Sequence, residues 1–357
     1  MVVRIPATKG FEKKPTIIIQ SHLDMVCEKN EGTNHDFTKD PIQLIRDETK
    51  KWIKANHTTL GADDGMGVVN SLLLGIDENL KHAPLELLFT VGEEIGLVGA
   101  INISPGMLIG KYLINIDSSL DEGITVGSAG GVKIDSTFNP TFESPPSSHQ
   151  KYILKLFSLL GGHSGVDINK QRANCIKLMV RILNSITKKN QIFIRLIELK
   201  SGTVHNSIPR EGSIEFTMDP KNELEFKSIV NDIIKKIKLE FKTSDPNIDH
   251  SIEMVSESTS LRVLIKKDER KILNMLQVYP TGVIAMDPEI PNAVQTSANL
   301  AFVRVENQKF LIGSNIRSSV ESSLNNILTS KISLLDLIGA HYKIYSRYPG
   351  NKFFLNI

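Results

Sequence analysis

Apolar runs that end on acidic or imidazole residues recur three times in the first third of the chain. Residues 16–24 read T-I-I-I-Q-S-H-L-D. Three consecutive Ile between polar residues suit a strand buried on both faces, as in a parallel sheet, with His22 and Asp24 just past its carboxyl end. Residues 85–91 (L-E-L-L-F-T-V) run into Gly92-Glu93-Glu94, and residues 112–116 (Y-L-I-N-I) run into Asp117-Ser118. Between the first two, Gly61-Ala62-Asp63-Asp64-Gly65 precedes a helical pattern of Val69, Leu72, Leu73, Ile76 and Leu80. This alternation of strand, loop and helix up to about residue 130 predicts an α/β layer. Functional groups gather at the carboxyl edge of such sheets, so one histidine and several carboxylates converge there.

The pattern changes after Gly130. Residues 139–150 (N-P-T-F-E-S-P-P-S-S-H-Q) are rich in Pro and Ser and predict a linker or exposed loop. Beyond it the periodicity predicts a strand at 152–159, a helix at about 170–188, strands at 191–199 and 212–218, a helix at 222–241 and a strand at 251–256. This β-α-β-β-α-β order is that of a ferredoxin-like α+β domain. A helix at 261–278 and a strand pair at 298–306 and 309–315 extend it, and helical spacing returns between Val320 and Ile338.

A chain of 357 residues exceeds one comfortable core, which favours two domains. The net charge is only +2 and the charges are interspersed, so no basic stripe supports a nucleic-acid partner. No apolar run reaches the roughly 18 residues of a membrane span, and the first residues lack the shape of a signal peptide. With only Cys27 and Cys175 there is no disulfide framework, and a reducing cytoplasm is the expected compartment.

Crowded carboxylates repel one another unless cations sit among them. A mixed imidazole and carboxylate set suits Zn²⁺, with Mn²⁺ or Co²⁺ as substitutes. Two divalent ions bridged by a carboxylate hold a hydroxide and polarise a carbonyl, which suits amide hydrolysis. The adjacent pair Glu93-Glu94 offers one carboxylate for metal and one free to act as base. In the second half, Gly161-Gly162-His163-Ser164-Gly165 places a histidine in a Gly-rich turn, open equally to a structural or a functional role. The polar stretch from Gly202 to Arg210 suits substrate amides, and Arg317 suits either a bidentate carboxylate contact or a helix-start ion pair.

The segments S-H-L-D-M-V-C-E-K-N (21–30), L-G-A-D-D-G (60–65), V-G-E-E-I-G (91–96), N-I-D-S (115–118), G-G-H-S-G-V-D-I (161–168) and G-T-V-H-N-S-I-P-R-E (202–211) occur in this order. Together they resemble the co-catalytic metallopeptidases that include carboxypeptidase G, aminoacylase and carnosinase. The resemblance implies a metal-dependent dipeptidase acting on short peptides such as Xaa-His. It implies that His22 and Asp117 bind one metal, that Asp63 bridges, and that Glu94 binds the second. Asp24 then orients His22, Glu93 is the general base, His163 reaches the scissile carbonyl from a lid, and Asn206 and Arg317 hold substrate.

The implied organisation is an incomplete, mixed-sheet catalytic domain at 1–130, a ferredoxin-like lid and dimerisation domain at 131–340, and a truncated return to the catalytic domain at 341–357. A homodimer through the lid is implied as well. Relatives carry more chain at both ends, including a Gly-Ala-His that supplies the last ligand. Gly339-Ala340-His341 has those letters but continues the apolar helix pattern, so the expectation is a second metal short of a ligand. Two further readings stay open: a non-catalytic binding or dimerisation module, and a deacylase of N-acyl amino acids.

Overall fold

A computed structural model describes residues 1–30, 32–49, 51–118, 125, 127–189, 192–255 and 261–350, the side chains of 187–189 aside. The chain divides into two compact units, Met1–Ile124 and Thr125–Ile357.

The first unit contains β1 (Val2–Ile5), β2 (Ile17–His22), a short ribbon of β3 (Leu44–Arg46) and β4 (Ile53–Ala55), α1 (Ala62–Ile76), β5 (Leu85–Thr90), α2 (Val98–Ile101) and β6 (Tyr112–Asn115). Its main sheet has the order β1-β5-β2-β6. β2 runs parallel to both β5 and β6, as the apolar runs predict, whereas β1 pairs antiparallel with β5 and makes the sheet mixed. Every residue of β5 is buried, because this strand lies between β1 and β2. Ile19, Leu85, Leu87 and Phe89 form the core, with Val68 and Leu74 of α1 packed against it. The α1 residues Val69, Leu72, Leu73 and Ile76 repeat at helical spacing but lie on another face; all are at least 45% exposed. α1 therefore carries two apolar stripes, and the sequence pattern picked out the exposed one.

The second unit contains β7 (Gly130–Phe138), β8 (Phe142–Glu143), β9 (Gln150–Phe157), β10 (Gly162–His163), α3 (Cys175–Lys189), β11 (Ile194–Ser201), β12 (Ser207–Ile208), β13 (Gly212–Met218), α4 (Glu223–Glu240), β14 (Asp249–Val255), β15 (Val263–Leu264), α5 (Lys266–Val278), β16 (Gly282–Met286), β17 (Val294–Glu306), β18 (Lys309–Ser318), α6 (Glu321–Ile338) and β19 (His341–Tyr348). Its large antiparallel sheet runs β14-β9-β13-β11-β17-β18-β7-β19, with β16 also paired to β17. The expected β-α-β-β-α-β segment occupies one end of this sheet, and α3 and α4 bury Ile176, Met179, Leu183, Phe226, Val230 and Ile234 against it. The expected strand at 251–256 is β14, two residues earlier; residue 256 lies outside the described residues.

Three expectations differ from the fold. Residues 139–150 are not wholly a linker, since β8 lies within them and pairs with β15. His341 does not continue a helix: α6 stops at Gly339, whose φ of 75° is left-handed, and the Gly339 and Ala340 amides close the helix onto Asp336 and Leu335. Residues 341–348 then form β19 against β7 in the second unit's own sheet, where a return to the first domain was expected. Residues 351–357 lie outside the described residues.

One buried group runs against the apolar logic of this core. Lys331 of α6 has no solvent exposure, its Nζ lies 4.3 Å from the Tyr279 ring centroid, and among the described residues it has no hydrogen-bond partner. Burial, with the Lys177 charge as a further cause, pushes its pKa well below the usual lysine range. The unfolded chain thus binds a proton that the folded chain refuses, so this residue's contribution is most favourable at alkaline pH and worsens as pH falls. Lys331→Met is expected to raise stability at pH 7 by about 1–3 kcal/mol, because an unpaired buried amine is replaced by a thioether of similar length. Urea unfolding at pH 6 and pH 9 checks this: the gain should be larger at pH 6, and a loss at both would refute it.

Candidate metal centre

The first unit's sheet delivers its functional side chains at one edge. His22 is the last residue of β2, paired with Thr90 at the end of β5, so the Glu93-Glu94 loop emerges beside it. Asp117 follows β6, which pairs with the other side of β2. Asp63 and Asp64 start α1, beginning after Gly61, whose φ of 75° requires the left-handed region that glycine adopts freely. The carboxyl-edge convergence read from the apolar runs is therefore present.

His22 is 1% exposed and sits at the centre of the group. Its Nε2 lies 3.1 Å from Asp63 Oδ1 and 3.8 Å from Asp117 Oδ2. On the other side of the ring, Nδ1 is 2.8 Å from the Asp24 carbonyl oxygen and 3.6 Å from that residue's carboxylate. Donation from Nδ1 to the carbonyl leaves Nε2 as the ligating atom. Asp24 has a second function: its two carboxylate oxygens accept the backbone N–H groups of Glu93 and Glu94 at 3.1 and 3.2 Å. One aspartate thus ties the end of β2 to the loop after β5.

Asp64 is the residue that the sequence reading passed over. It is buried, and it accepts the amides of His22 and Gly67, each at 3.1 Å. A Cβ on Gly67 would sit 2.1 Å from Asp64 Oδ1, so this glycine makes room for the carboxylate. Adjacency to Asp63 was the available signal, but nothing in the letters distinguishes the two. Ligand atoms within 4.8 Å of one another define two groups among the described residues: His22, Asp63 and Glu94, and His22, Asp64 and Asp117. Glu93 belongs to neither.

The electrostatics follow from this crowding. Burial, followed by the charges of Asp63 and Asp64, pushes Asp117 up to about 7. Burial raises Glu93, and the Glu94, Asp63 and Asp24 charges add to it against the opposing His22. Burial also raises Glu94 and Asp64. For His22, burial acts downward, but the Asp63 hydrogen bond and the Asp117 and Glu93 charges outweigh it and its pKa rises. Asp24 is the exception: burial acts upward, yet the Glu93 and Glu94 amides hold it below the usual carboxylate range. A donor set of one imidazole and several proton-retaining carboxylates fits divalent cations of the Zn²⁺ type.

In the second unit, His163 lies on β10, opposite Ser207 of β12. Its Nδ1 accepts the amides of Gly165 and Val166 at 3.3 and 3.2 Å, which places the proton of the neutral ring on Nε2. Burial and then the nearby Arg317 charge lower its pKa. Arg317 donates from Nη1 to the Tyr348 hydroxyl at 3.0 Å, and Asn315, two residues earlier on β18, donates to Ser164 Oγ. The helix-start ion pair considered for Arg317 is absent from its described contacts. Asn206 contributes its carbonyl to the Ser164 amide at 2.7 Å. Nearby in sequence, His205 forms a cluster with Asp135 of β7 and Tyr345 of β19 that no local pattern announced.

Residues 154–245 match the family model described as a peptidase dimerisation domain. Over 98% of its length the chain is 35% identical to the cytosol non-specific dipeptidase of Escherichia coli, of which it covers 71%. The chain belongs to the M20 peptidase family. The crystal structure of aminoacylhistidine dipeptidase from Vibrio alginolyticus superimposes on this M20 chain with a TM-score of 0.82 at 34% identity, covering 99% of the chain and 71% of that protein. A more distant relative, the Bacillus subtilis protein YqjE, is 32% identical over 114 residues, or 31% of the chain and 28% of that protein. The M20 chain is thus a metal-dependent, dipeptidase-like hydrolase with two candidate metal-binding clusters, and it is shorter than its relatives. Among its described residues no helix is long and apolar enough to cross a membrane.

The raised carboxylates predict a pH signature. Asp117, raised to about 7, binds its proton more tightly when folded, so its contribution to stability is full at low pH and lost as pH rises through about 7. His22 acts in the same sense, and Asp24 acts oppositely only as pH falls below about 4. In a Lys331→Met background, which removes the opposing effect of that buried amine, the metal-free protein is expected to melt at lower temperature at pH 7.5 than at pH 5.5, and Zn²⁺ is expected to raise the melting temperature more at pH 7.5. Differential scanning fluorimetry at the two pH values measures both; an equal Zn²⁺ shift would contradict the assignment.

Proposed function

We propose that this M20 chain is a dinuclear, zinc-dependent dipeptidase that hydrolyses short peptides, Xaa-His dipeptides among them. The observation that carries this reading is that His22 is shared by two carboxylate groups while Glu93 stands outside both. In this reading, which takes its ligand roles from the family resemblance, His22 and Asp117 would hold one cation, Glu94 the other and Asp63 both, whereas the geometric groups place Asp64 beside Asp117. Asp64, anchored by two backbone amides, buttresses the start of α1. When bound, a pair of divalent ions polarises the carbonyl and acidifies water.

The protein groups supply positioning and proton transfer. Asp24 fixes the His22 ring and, through two amides, the loop that carries Glu93 and Glu94. Glu93 takes the proton of the attacking water and delivers it to the leaving amine; burial and neighbouring acids keep its carboxylate basic enough for that task. His163, protonated on Nε2 and neutral, is suited to donating to an oxygen on which negative charge develops. Arg317 takes the substrate carboxylate, and Asn206 adds an amide contact. The names of the two relatives that match along nearly all of the chain support dipeptides as the substrate class.

The second unit is assigned as a ferredoxin-like lid through which two copies pair, supported by its strand order β14-β9-β13-β11 and by the dimerisation-domain match. A cytoplasmic location accords with two free cysteines.

Glu93→Gln is expected to lower kcat for alanyl-histidine by about 10²–10⁴ while the bound zinc per chain stays unchanged. Steady-state kinetics with elemental analysis tests this. An unaltered kcat would remove Glu93 from the mechanism, and a zinc-loaded wild type that turns over no dipeptide would overturn the function.

A further inference from the structure

β18, β7 and β19 lie side by side in the second unit's sheet, and their registers set Arg317 opposite Gly131 and Gly131 opposite Tyr348. The middle position of this rung therefore carries no side chain. A Cβ on Gly131 would sit 2.5 Å from Cζ and from the hydroxyl oxygen of Tyr348, so the phenol ring lies across the glycine backbone. There its hydroxyl accepts the Arg317 Nη1–H at 3.0 Å. An arginine and a tyrosine two strands apart meet directly because glycine separates them.

The rest of the guanidinium is poised differently. Arg317 Nε is buried and has no hydrogen-bond partner among the described residues. A guanidinium donates in a planar fork, so with Nη1 held by Tyr348 the edge bearing Nε stays available. A carboxylate, with two parallel acceptor oxygens, is the group that fits this edge. Gly165 borders the same place: a Cβ there would lie 3.1 Å from His163 Cε1 and 3.3 Å from Arg317 Cζ. The lack of a side chain at Gly165 keeps the space between ring and guanidinium free.

We infer that Tyr348 is a positioning residue: reaching across Gly131, it holds the Arg317 guanidinium with its Nε edge toward the free carboxylate of a peptide substrate, and so sets a preference for that carboxylate over its amide. This rests on the dipeptidase reading, in which Arg317 takes the substrate carboxylate.

The test compares kcat and KM for L-alanyl-L-histidine and for its C-terminal amide, using zinc-loaded full chains of wild type, Tyr348→Phe, Gly131→Ala and Arg317→Ala. Tyr348→Phe is expected to raise KM for the free acid about tenfold, with kcat within about twofold and the amide unaffected. Gly131→Ala, which displaces the ring, should move KM in the same direction, and Arg317→Ala should give a larger rise for the acid alone. If Arg317→Ala separates acid from amide and Tyr348→Phe behaves as wild type, the positioning role is overturned and the dipeptidase reading stands. If Arg317→Ala fails to separate them, the carboxylate reading of Arg317 fails and the role of Tyr348 goes with it. A Tyr348→Phe protein impaired equally on acid and amide would also overturn the role, since general damage to the sheet has that signature.

Discussion

The mutual repulsion of carboxylates around one buried imidazole is the constraint on which the first unit depends. Five acids, Asp63, Asp64, Glu93, Glu94 and Asp117, stand within reach of His22 or of one another, and four of them retain protons more strongly than free carboxylates do. Such a group is tolerated because the sheet fixes it. Parallel pairing of β2 with β5 and β6 brings the three strand ends together, and the buried core of Ile19, Leu85, Leu87 and Phe89 holds those strands in place. The energy stored in this repulsion is what a divalent cation relieves on binding.

The aspartates show that environment, rather than residue type, assigns the roles. Asp24 receives two backbone amides and falls below the usual carboxylate range; Asp117 receives burial and two negative neighbours and rises to about 7. A carboxylate whose lone pairs are already filled by the backbone is suited to anchoring, and one left facing other acids is suited to a cation. Asp63 and Asp64 differ in what they touch, although burial raises Asp64 despite its backbone partners. Asp64 is buried on the amides of His22 and Gly67, whereas the Asp63 side chain is 75% exposed and meets the His22 ring.

What the sequence revealed follows from this geometry. His22, Asp63, Glu94 and Asp117 each follow or precede an apolar run whose type was plain, so their convergence could be read from strand ends alone. The missed strands had weaker signals. β7 opens on two glycines, and β19 is a polar, largely exposed edge strand that begins after an apolar helix, so its letters seemed to continue that helix. The stop signal was present in Gly339, a helix-terminating glycine directly after the periodic residues. α1 misled in another way, since the more regular of its apolar stripes is the exposed one.

The second unit shows where such reading ends. The Arg317, Gly131 and Tyr348 rung joins three strands whose pairing depends on register, and a one-residue slip in β19 would turn the tyrosine to the opposite face. No local pattern carries that information. The His205, Asp135 and Tyr345 cluster has the same origin: Lys133 and Asp135 of β7 both pair with β19, and the alternation along β7 puts every second residue on one face. Polar groups of this sheet are thus specified by strand alignment over long sequence separations, whereas those of the first unit are specified by where each apolar run stops. The two halves of the chain therefore encode their chemistry at different levels, one in local sequence and one in topology.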